Sequence, residues 1–416
     1  MPKRRYFRAS ALSGKAQGKS DMTIMRRKRK KLLFQTTKFF NFFKRNTDAV
    51  SFLGNRATLY RLGSEFFPAL LEAIPLAQSS ICVEFYTIAD DHTGRAVADA
   101  LIAAAASGVR VYLLYDYIGC FDTPTAFFKR LTKGGVSCAA FNPPPFKRGI
   151  GWFDKRDHRK IVVIDGWCVF TGGMNIADVY SGFGKKQTEW RDVGLRIEGE
   201  VGLELLRLFK DTWTAECGSP PKGCDPAVAP EIAGDAKIMV INGGPHHERS
   251  FIRSAFRVAI AGASESVTIA SPYFIPGPRV IRSLLRAAGR GVQVRLLLPQ
   301  KSDVPLVRLV SRTYYAQLLR NGVEIFEMDR AVLHAKVLLI DGNWTMVGSA
   351  NIDPRSFHRN YELNVVVDSY DFGAQVADML ETDLADARSI MLHEHERRGW
   401  PVRFLERLFS PVAWFL

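Results

Sequence analysis

The stretch HRKIVVIDG at residues 158–166 recurs almost letter for letter as HAKVLLIDG at 334–342. His, Lys and Asp keep identical offsets in both copies, and an asparagine follows each His seventeen residues later: Asn175 in FTGGMN and Asn351 in VGSAN. The likeness runs beyond the motif. RAVADALIAAAASGVRVYLLYD (95–116) and RVIRSLLRAAGRGVQVRLLLPQ (279–300) both read as a helix, a glycine and an alternating apolar strand. RLTKGGVSCAAF (130–141) and QLLRNGVEIFEM (317–328) repeat the device ahead of each motif. A period of this length means a duplicated domain, not a duplicated peptide. Strands alternating with helices predict an α/β protein. Two similar α/β/α-sandwich halves are expected to pack as a pseudo-twofold pair with one shared active site.

The 416 residues exceed one ordinary core, in keeping with two halves. The pattern divides into a basic amphipathic tail (1–48), a first half (49–216), a Pro/Gly-rich linker (217–234), a second half (235–390) and a C-terminal, interfacial or docked segment (391–416). The formal charge of +15 resides mostly in residues 1–50, which carry a net +13. The remaining body is nearly neutral, which counts against a nucleic-acid substrate held by a basic cleft. In the tail, Leu32, Phe39, Phe40, Phe42 and Phe43 fall on one side of a helical wheel, with Lys31, Lys38 and Arg45 on the other. Such a helix suits an anionic membrane surface. No apolar run approaches the ~18 residues needed to span a bilayer, and no signal-peptide core is evident.

The six cysteines show no CxxC pair or zinc spacing and read as reduced thiols facing the cytosol, with Cys217 and Cys224 able to bridge only in an oxidising compartment. His246-His247 and His393-x-His395 lack the partners of a zinc site and read as surface histidines. No metal or other cofactor is implied.

Side chains alternate along a strand, so His158 and Lys160 share one face while Asp165 faces the other; His334, Lys336 and Asp341 obey the same parity. The aspartates belong to the catalytic motif, yet their parity suits them to tying down neighbouring backbone. Two ammoniums and two amides (Lys160, Lys336, Asn175, Asn351) make a cradle for a phosphoryl group. The small residues Gly172, Gly173, Gly348 and Ser349 permit close approach to such an anion. Two imidazoles can alternate as nucleophile and as acid or base near neutral pH.

These motifs, together with VEFYTIADDHTG (83–94), ASPYFIPG (270–277) and HAKVLLIDGNWTMVGSANIDPRSFHRNYELN (334–364), resemble the phospholipase D superfamily over roughly residues 50–390. Within it, the chain is most similar to bacterial cardiolipin synthases without transmembrane helices. The resemblance implies His158 as nucleophile through a covalent phosphohistidine, and His334 as acid and base, although the near-symmetry leaves that order open. It also implies phosphate binding by Lys160, Lys336, Asn175 and Asn351, imidazole orientation by Asp192 and Glu362, and chemistry without a metal. Arg355 is a plausible phosphate neighbour or a surface ion-pair partner, and Glu84 has no assigned role. The expected activity is phosphatidyl transfer from phosphatidylglycerol to the hydroxyl of a second phospholipid, at the cytoplasmic face of the cell membrane. A phospholipase D using water, a related nuclease and a catalytically decayed membrane scaffold are the alternatives; the two intact motifs count against the last.

Overall fold

A computed structural model describes residues 37–145, 149, 153–183, 190–226, 234–245 and 250–409. The first half supplies β1 (Val50–Tyr60), β2 (Ser80–Phe85), β3 (Arg110–Asp116), β4 (Ser137–Phe141), β5 (Lys160–Ile164), β6 (Cys168–Gly172) and β7 (Gly194–Glu198). The second supplies β8 (Ala236–Gly243), β9 (Ser266–Ala270), β10 (Gln293–Pro299), β11 (Glu324–Met328), β12 (Val337–Ile340), β13 (Trp344–Gly348) and β14 (Glu362–Asp368). Their spatial orders are the same, β1-β7-β6-β5-β2-β3-β4 and β8-β14-β13-β12-β9-β10-β11. In each half the last three strands of that order are parallel and the others antiparallel. A two-residue strand, β15 (Arg388–Ser389), adds to the edge at β11.

β1 couples the halves. Its first residues pair with β8 and Arg56–Tyr60 pair with β7, with the register shifting between Phe52 and Asn55. Gly54 sits in that shift at φ 74°, a conformation that costs glycine little.

The expected alternation is visible in the cores. On β5, Ile161 and Val163 enter one cluster and Val162 and Ile164 another; on β12, Val337 and Leu339 separate likewise from Leu338 and Ile340. Ile161, Val163, Val337 and Leu339 all meet in a cluster shared by both halves. The helices Val201–Cys217 and Tyr370–Ala385 contribute Leu205, Phe209, Val376 and Leu380 to this shared layer. Strands covered on both faces explain the nearly continuous apolar runs after each motif Lys.

Two expectations change. The helix Thr37–Thr47 carries the last turns of the predicted membrane helix, but Phe43 is buried and stands edge-on to Trp344, with ring centroids 5.4 Å apart. Phe39 also packs against the second-half core, while Phe42 remains exposed. Those phenylalanines find their apolar surroundings within the protein itself. The earlier tail residues, including Leu32, lie outside the described residues, as do His246 and His247. His395 is not a surface histidine: it is buried, stacks on Tyr315 and receives a hydrogen bond from Arg398 at 2.8 Å. All six cysteines are free, as the reduced-thiol reading expects, and buried Cys224 has its Sγ 3.5 Å from that of Cys82.

At the C-terminus, the helix Trp400–Phe409 docks against the helix Pro305–Arg312 and turns Trp400, Phe404 and Leu408 to solvent. It is both docked and apolar on its outer face. No helix among the described residues is long and apolar enough to cross a membrane.

Docking of the N-terminal helix gives a direct stability test. Phe43→Ala should cost about 3–5 kcal/mol in denaturant unfolding, and Phe42→Ala less than about 0.5 kcal/mol. Equal effects would contradict the docked position.

Candidate active site

The segment leading into each motif strand is held by the other half. His158 donates its backbone N–H to Tyr361 at 2.9 Å, and Tyr361 donates to Arg156 at 2.8 Å. In the mirror arrangement, His334 donates to Arg191 at 2.8 Å and Arg191 donates to Val332 at 2.9 Å. Side chains follow the same crossing. His158 Nδ1 lies 3.1 Å from both oxygens of Glu362, a second-half residue, and His334 Nδ1 lies 2.6 Å from Asp192 Oδ2, a first-half residue. An ionised carboxylate only accepts, so each Nδ1 carries the proton and each Nε2 is left for chemistry.

The sequence identified these two carboxylates but not their exchange between halves. Their supports differ. Glu362 accepts from Ser349 and from Ser356 Oγ at 2.9 Å, whereas Asp192 Oδ1 accepts the backbone N–H of Val193 at 2.7 Å. A Cβ on Gly173 would stand 2.2 Å from Asp192 Oδ1, so this glycine makes room for the carboxylate. Gly348 likewise admits the neighbouring strand, where a Cβ would meet the Leu363 carbonyl at 2.1 Å. These small residues admit protein groups where the sequence suggested a bulky anion. Burial pushes the Glu362 carboxyl up, but His158, Lys160 and Ser349 outweigh it and hold it below its usual range.

Both lysines are buried. Lys160 donates to the His158 carbonyl at 2.8 Å and lies over the Tyr86 ring. Lys336 donates to the His334 carbonyl, with Nζ 2.7 Å from the ring's Nδ1 and 3.9 Å from Asp192. Burial, then the neighbouring charge of Lys336, brings Lys160 down to about 7; burial brings Lys336 down to about 8, against the attraction of Asp192. Burial followed by Lys336 lowers His334 to about 4, and burial also lowers His158. The four groups therefore feel each other across one pocket. The carboxylates Asp192 and Glu362 share it with the two ammoniums, whose lowered proton affinity comes first from burial and whose charge suits the site to an anion.

Asn175 is held by the fold: its Oδ1 accepts from Thr87 N at 3.3 Å and its Nδ2 donates to Tyr180 Oη at 3.0 Å. Asn351 is different, because its buried Oδ1 has no hydrogen-bond partner. The aromatic walls were not foreseen. Tyr86 meets His158 at 4.9 Å, and Tyr180 and Trp190 each lie 5.3 Å from His334, ring to ring. Tyr86 directly follows β2 and Trp190 stands two residues before Asp192, but Tyr180, in the short helix Asp178–Ser181, carries no such signal.

Asp165 and Asp341 share the motif but tie down backbone, as their strand parity leads one to expect. Asp165 accepts the backbone N–H groups of Gln78, Ser79 and Ser80 at 2.7–2.9 Å. Asp341 does the same for Ser264, Glu265 and Ser266. Each pins the entry to a parallel strand against the end of the motif strand.

Two further side chains span the halves. Buried Arg159 pairs with Glu84 at 3.0 Å, giving that acid a structural role, and reaches Asn242 on β8 at 2.7 Å. Arg355 donates to the Asp154 carbonyl at 3.3 Å, a bond between the halves. No group of three His, Cys, Asp or Glu among the described residues could hold a metal ion.

Comparison with known proteins agrees with this duplicated architecture. The family described as "Cardiolipin synthase, PLD-like domain" matches twice, at residues 70–189 and 256–384. A cardiolipin synthase of Geobacillus thermodenitrificans is 34% identical over 366 residues, covering 86% of this chain and 73% of that protein. Cardiolipin synthase A of Pseudomonas syringae is 38% identical over 369 residues, covering 86% and 75%. The crystal structure of phosphatidylserine synthase from Haemophilus influenzae has a similar fold, with a TM-score of 0.68 at 13% identity, over 90% of this chain and 99% of that one.

The lysine environment is measurable by NMR of 13C-labelled lysine. Lys160 should titrate near 7 and Lys336 near 8. Because unfolded lysine holds its proton to higher pH, the unfolded state binds more protons across that interval. These two sites should therefore make unfolding harder as pH rises from about 7 towards 10.5. Two ordinary titrations near 10.5 would contradict a buried pair.

Proposed function

Because this chain belongs to the phospholipase D-like cardiolipin synthase family, we propose how its residues divide the work of phosphatidyl transfer. The chain is a phosphatidyltransferase of the cardiolipin synthase type, and its substrate is a phospholipid. The observation that carries the mechanism is the pair of crossed imidazole–carboxylate contacts around two buried lysines.

Phosphatidylglycerol enters with its phosphodiester between Lys160 and Lys336, and the Asn175 and Asn351 amides complete the cradle. Negative charge there offsets the field of the two ammoniums, so it raises the proton affinity of His334 from its low value in the empty pocket. His158 Nε2 attacks phosphorus. The bond to the glycerol headgroup breaks, and His334 Nε2–H donates its proton to the leaving oxygen, giving glycerol and phosphatidyl-His158. In the second step His334 takes the proton from the hydroxyl of another phosphatidylglycerol. That oxygen attacks phosphorus, the P–N bond breaks, and cardiolipin leaves with His158 restored. Glu362 and Asp192 hold the two rings in the required tautomers throughout. The lysines supply the positive charge the phosphoryl group needs, so no metal is required.

The protein meets the membrane peripherally, at the cytoplasmic face. Support comes from the apolar outer face of the helix Trp400–Phe409 and the strongly basic first fifty residues, both suited to an anionic bilayer. Six free cysteines fit a reducing compartment.

The test is lipid mass spectrometry after incubation of the full chain with phosphatidylglycerol vesicles and a chelator. Cardiolipin and glycerol should appear in equal amounts, and His158→Ala and His334→Ala should each reduce them about 10³-fold or more. Phosphatidic acid as the sole lipid product would make water the acceptor and overturn the transfer step.

A further inference from the structure

A second basic pocket lies beside the active site in the second half. It has a volume of about 380 Å³ and is lined by Arg253, Ile275, Pro276, Arg279, Phe357 and His358, among others. The sheet fixes its position. β9 is antiparallel to β12, with Ala270 opposite Val337, so the end of β9 and the start of β12 share one edge of the sheet. His334 and Lys336 immediately precede that start. Ile275 then donates its N–H to Ile352 at 2.7 Å, one residue beyond Asn351.

Among the described residues, the pocket's arginines meet no carboxylate. Arg253 is half-buried, and its Nη1 lies 2.7 Å from His358 Nε2. Burial followed by the proximity of Arg279 and Arg257 lowers its proton affinity. Among the described residues, no carboxylate pairs with Arg253, Arg257 or Arg279, and the helices Phe251–Gly262 and Gly277–Gly289 contain no acidic residue. An arginine pair facing a cavity without a carboxylate is built to take an oxyanion through charge-assisted hydrogen bonds. Ile275, Pro276 and Phe357 give the pocket an apolar wall as well. Ile275 joins it to a cluster with Val307, Val310 and Phe409, and Phe409 ends the helix that exposes Trp400, Phe404 and Leu408. A phosphate among the arginines with its acyl chains along that wall would extend towards the apolar helix face.

We infer that this pocket holds the phosphodiester of the acceptor phospholipid, presenting its free hydroxyl to the phosphatidyl-enzyme. The assignment rests on the transfer reaction proposed above and adds a site for the second lipid. Holding the acceptor close raises its effective concentration at the intermediate and gives it the advantage over water.

The test compares the full chain with Arg253→Ala/Arg279→Ala and with Arg253→Lys/Arg279→Lys on phosphatidylglycerol vesicles, following glycerol, cardiolipin and phosphatidic acid together. The alanine pair should raise the ratio of phosphatidic acid to cardiolipin about tenfold, with a smaller rise for the lysine pair, which keeps charge but loses the planar fork. Glycerol release should fall by less than about twofold, which also reports that the variants fold. Arg286→Ala/Arg290→Ala, on the same helix and its end but outside the pocket, should leave the ratio unchanged. An unaltered ratio in the alanine pair, with wild-type cardiolipin synthesis intact, would overturn the pocket assignment alone. A wild-type chain that releases no glycerol would instead overturn the transfer reading beneath it. Inorganic phosphate is the second arm. Inhibition of cardiolipin synthesis by low millimolar phosphate should be relieved by more phosphatidylglycerol; inhibition that added phosphatidylglycerol does not relieve would make the pocket a site for free anions and overturn the lipid assignment.

Discussion

Two imidazoles, each paired with a carboxylate from the opposite half, are the contacts on which the rest of the structure depends. Placing His158 against Glu362 and His334 against Asp192 requires the halves to meet at a fixed register. The backbone bonds from His158 to Tyr361 and from His334 to Arg191 supply that register immediately beside the rings. Neither repeat contains a complete site. Duplication gives each half the group the other lacks, and the seam brings the groups together.

The cost of the arrangement is burial of charge. Two lysines, two histidines and two carboxylates lie in a low-dielectric pocket, and the lysines lose proton affinity as a result. Burying an ammonium is expensive even with a carboxylate 3.9 Å away, as Asp192 is from Lys336, and an incoming phosphodiester removes part of that expense. The pocket is thus arranged to become electrostatically comfortable when substrate binds. Rigidity comes from elsewhere: Asp165 and Asp341 clamp strand entries, and Arg159 bridges Glu84 to Asn242.

Much of this was legible in the sequence because it depends on short-range rules. Strand parity placed His and Lys on one face and Asp on the other, and the structure assigns Asp165 and Asp341 to backbone anchoring as that parity requires. Repeated helix–glycine–strand blocks gave the α/β halves. The exchange of Asp192 and Glu362 was not legible, since nothing in a linear motif tells which copy's imidazole a carboxylate will reach. The docking of the tail's last turns was hidden for a related reason. A helical wheel shows that Phe43 needs an apolar surrounding, but not that Trp344 supplies it from three hundred residues away. His395 was misplaced likewise, because Tyr315 and Arg398 surround it only after folding.

The crossing can be tested with a phosphatidyl donor whose leaving group is p-nitrophenol, which departs without a protonating histidine. In rapid mixing, the wild-type chain and His334→Ala should each release a burst of about one p-nitrophenol per chain, with the phosphatidyl group mapped to His158 by peptide mass spectrometry. Asp192→Asn should keep the burst rate, because it orients only the acid, whereas Glu362→Gln should slow it about a hundredfold. The opposite outcome, a burst lost in Asp192→Asn and kept in Glu362→Gln, would contradict the crossed assignment of the two histidines.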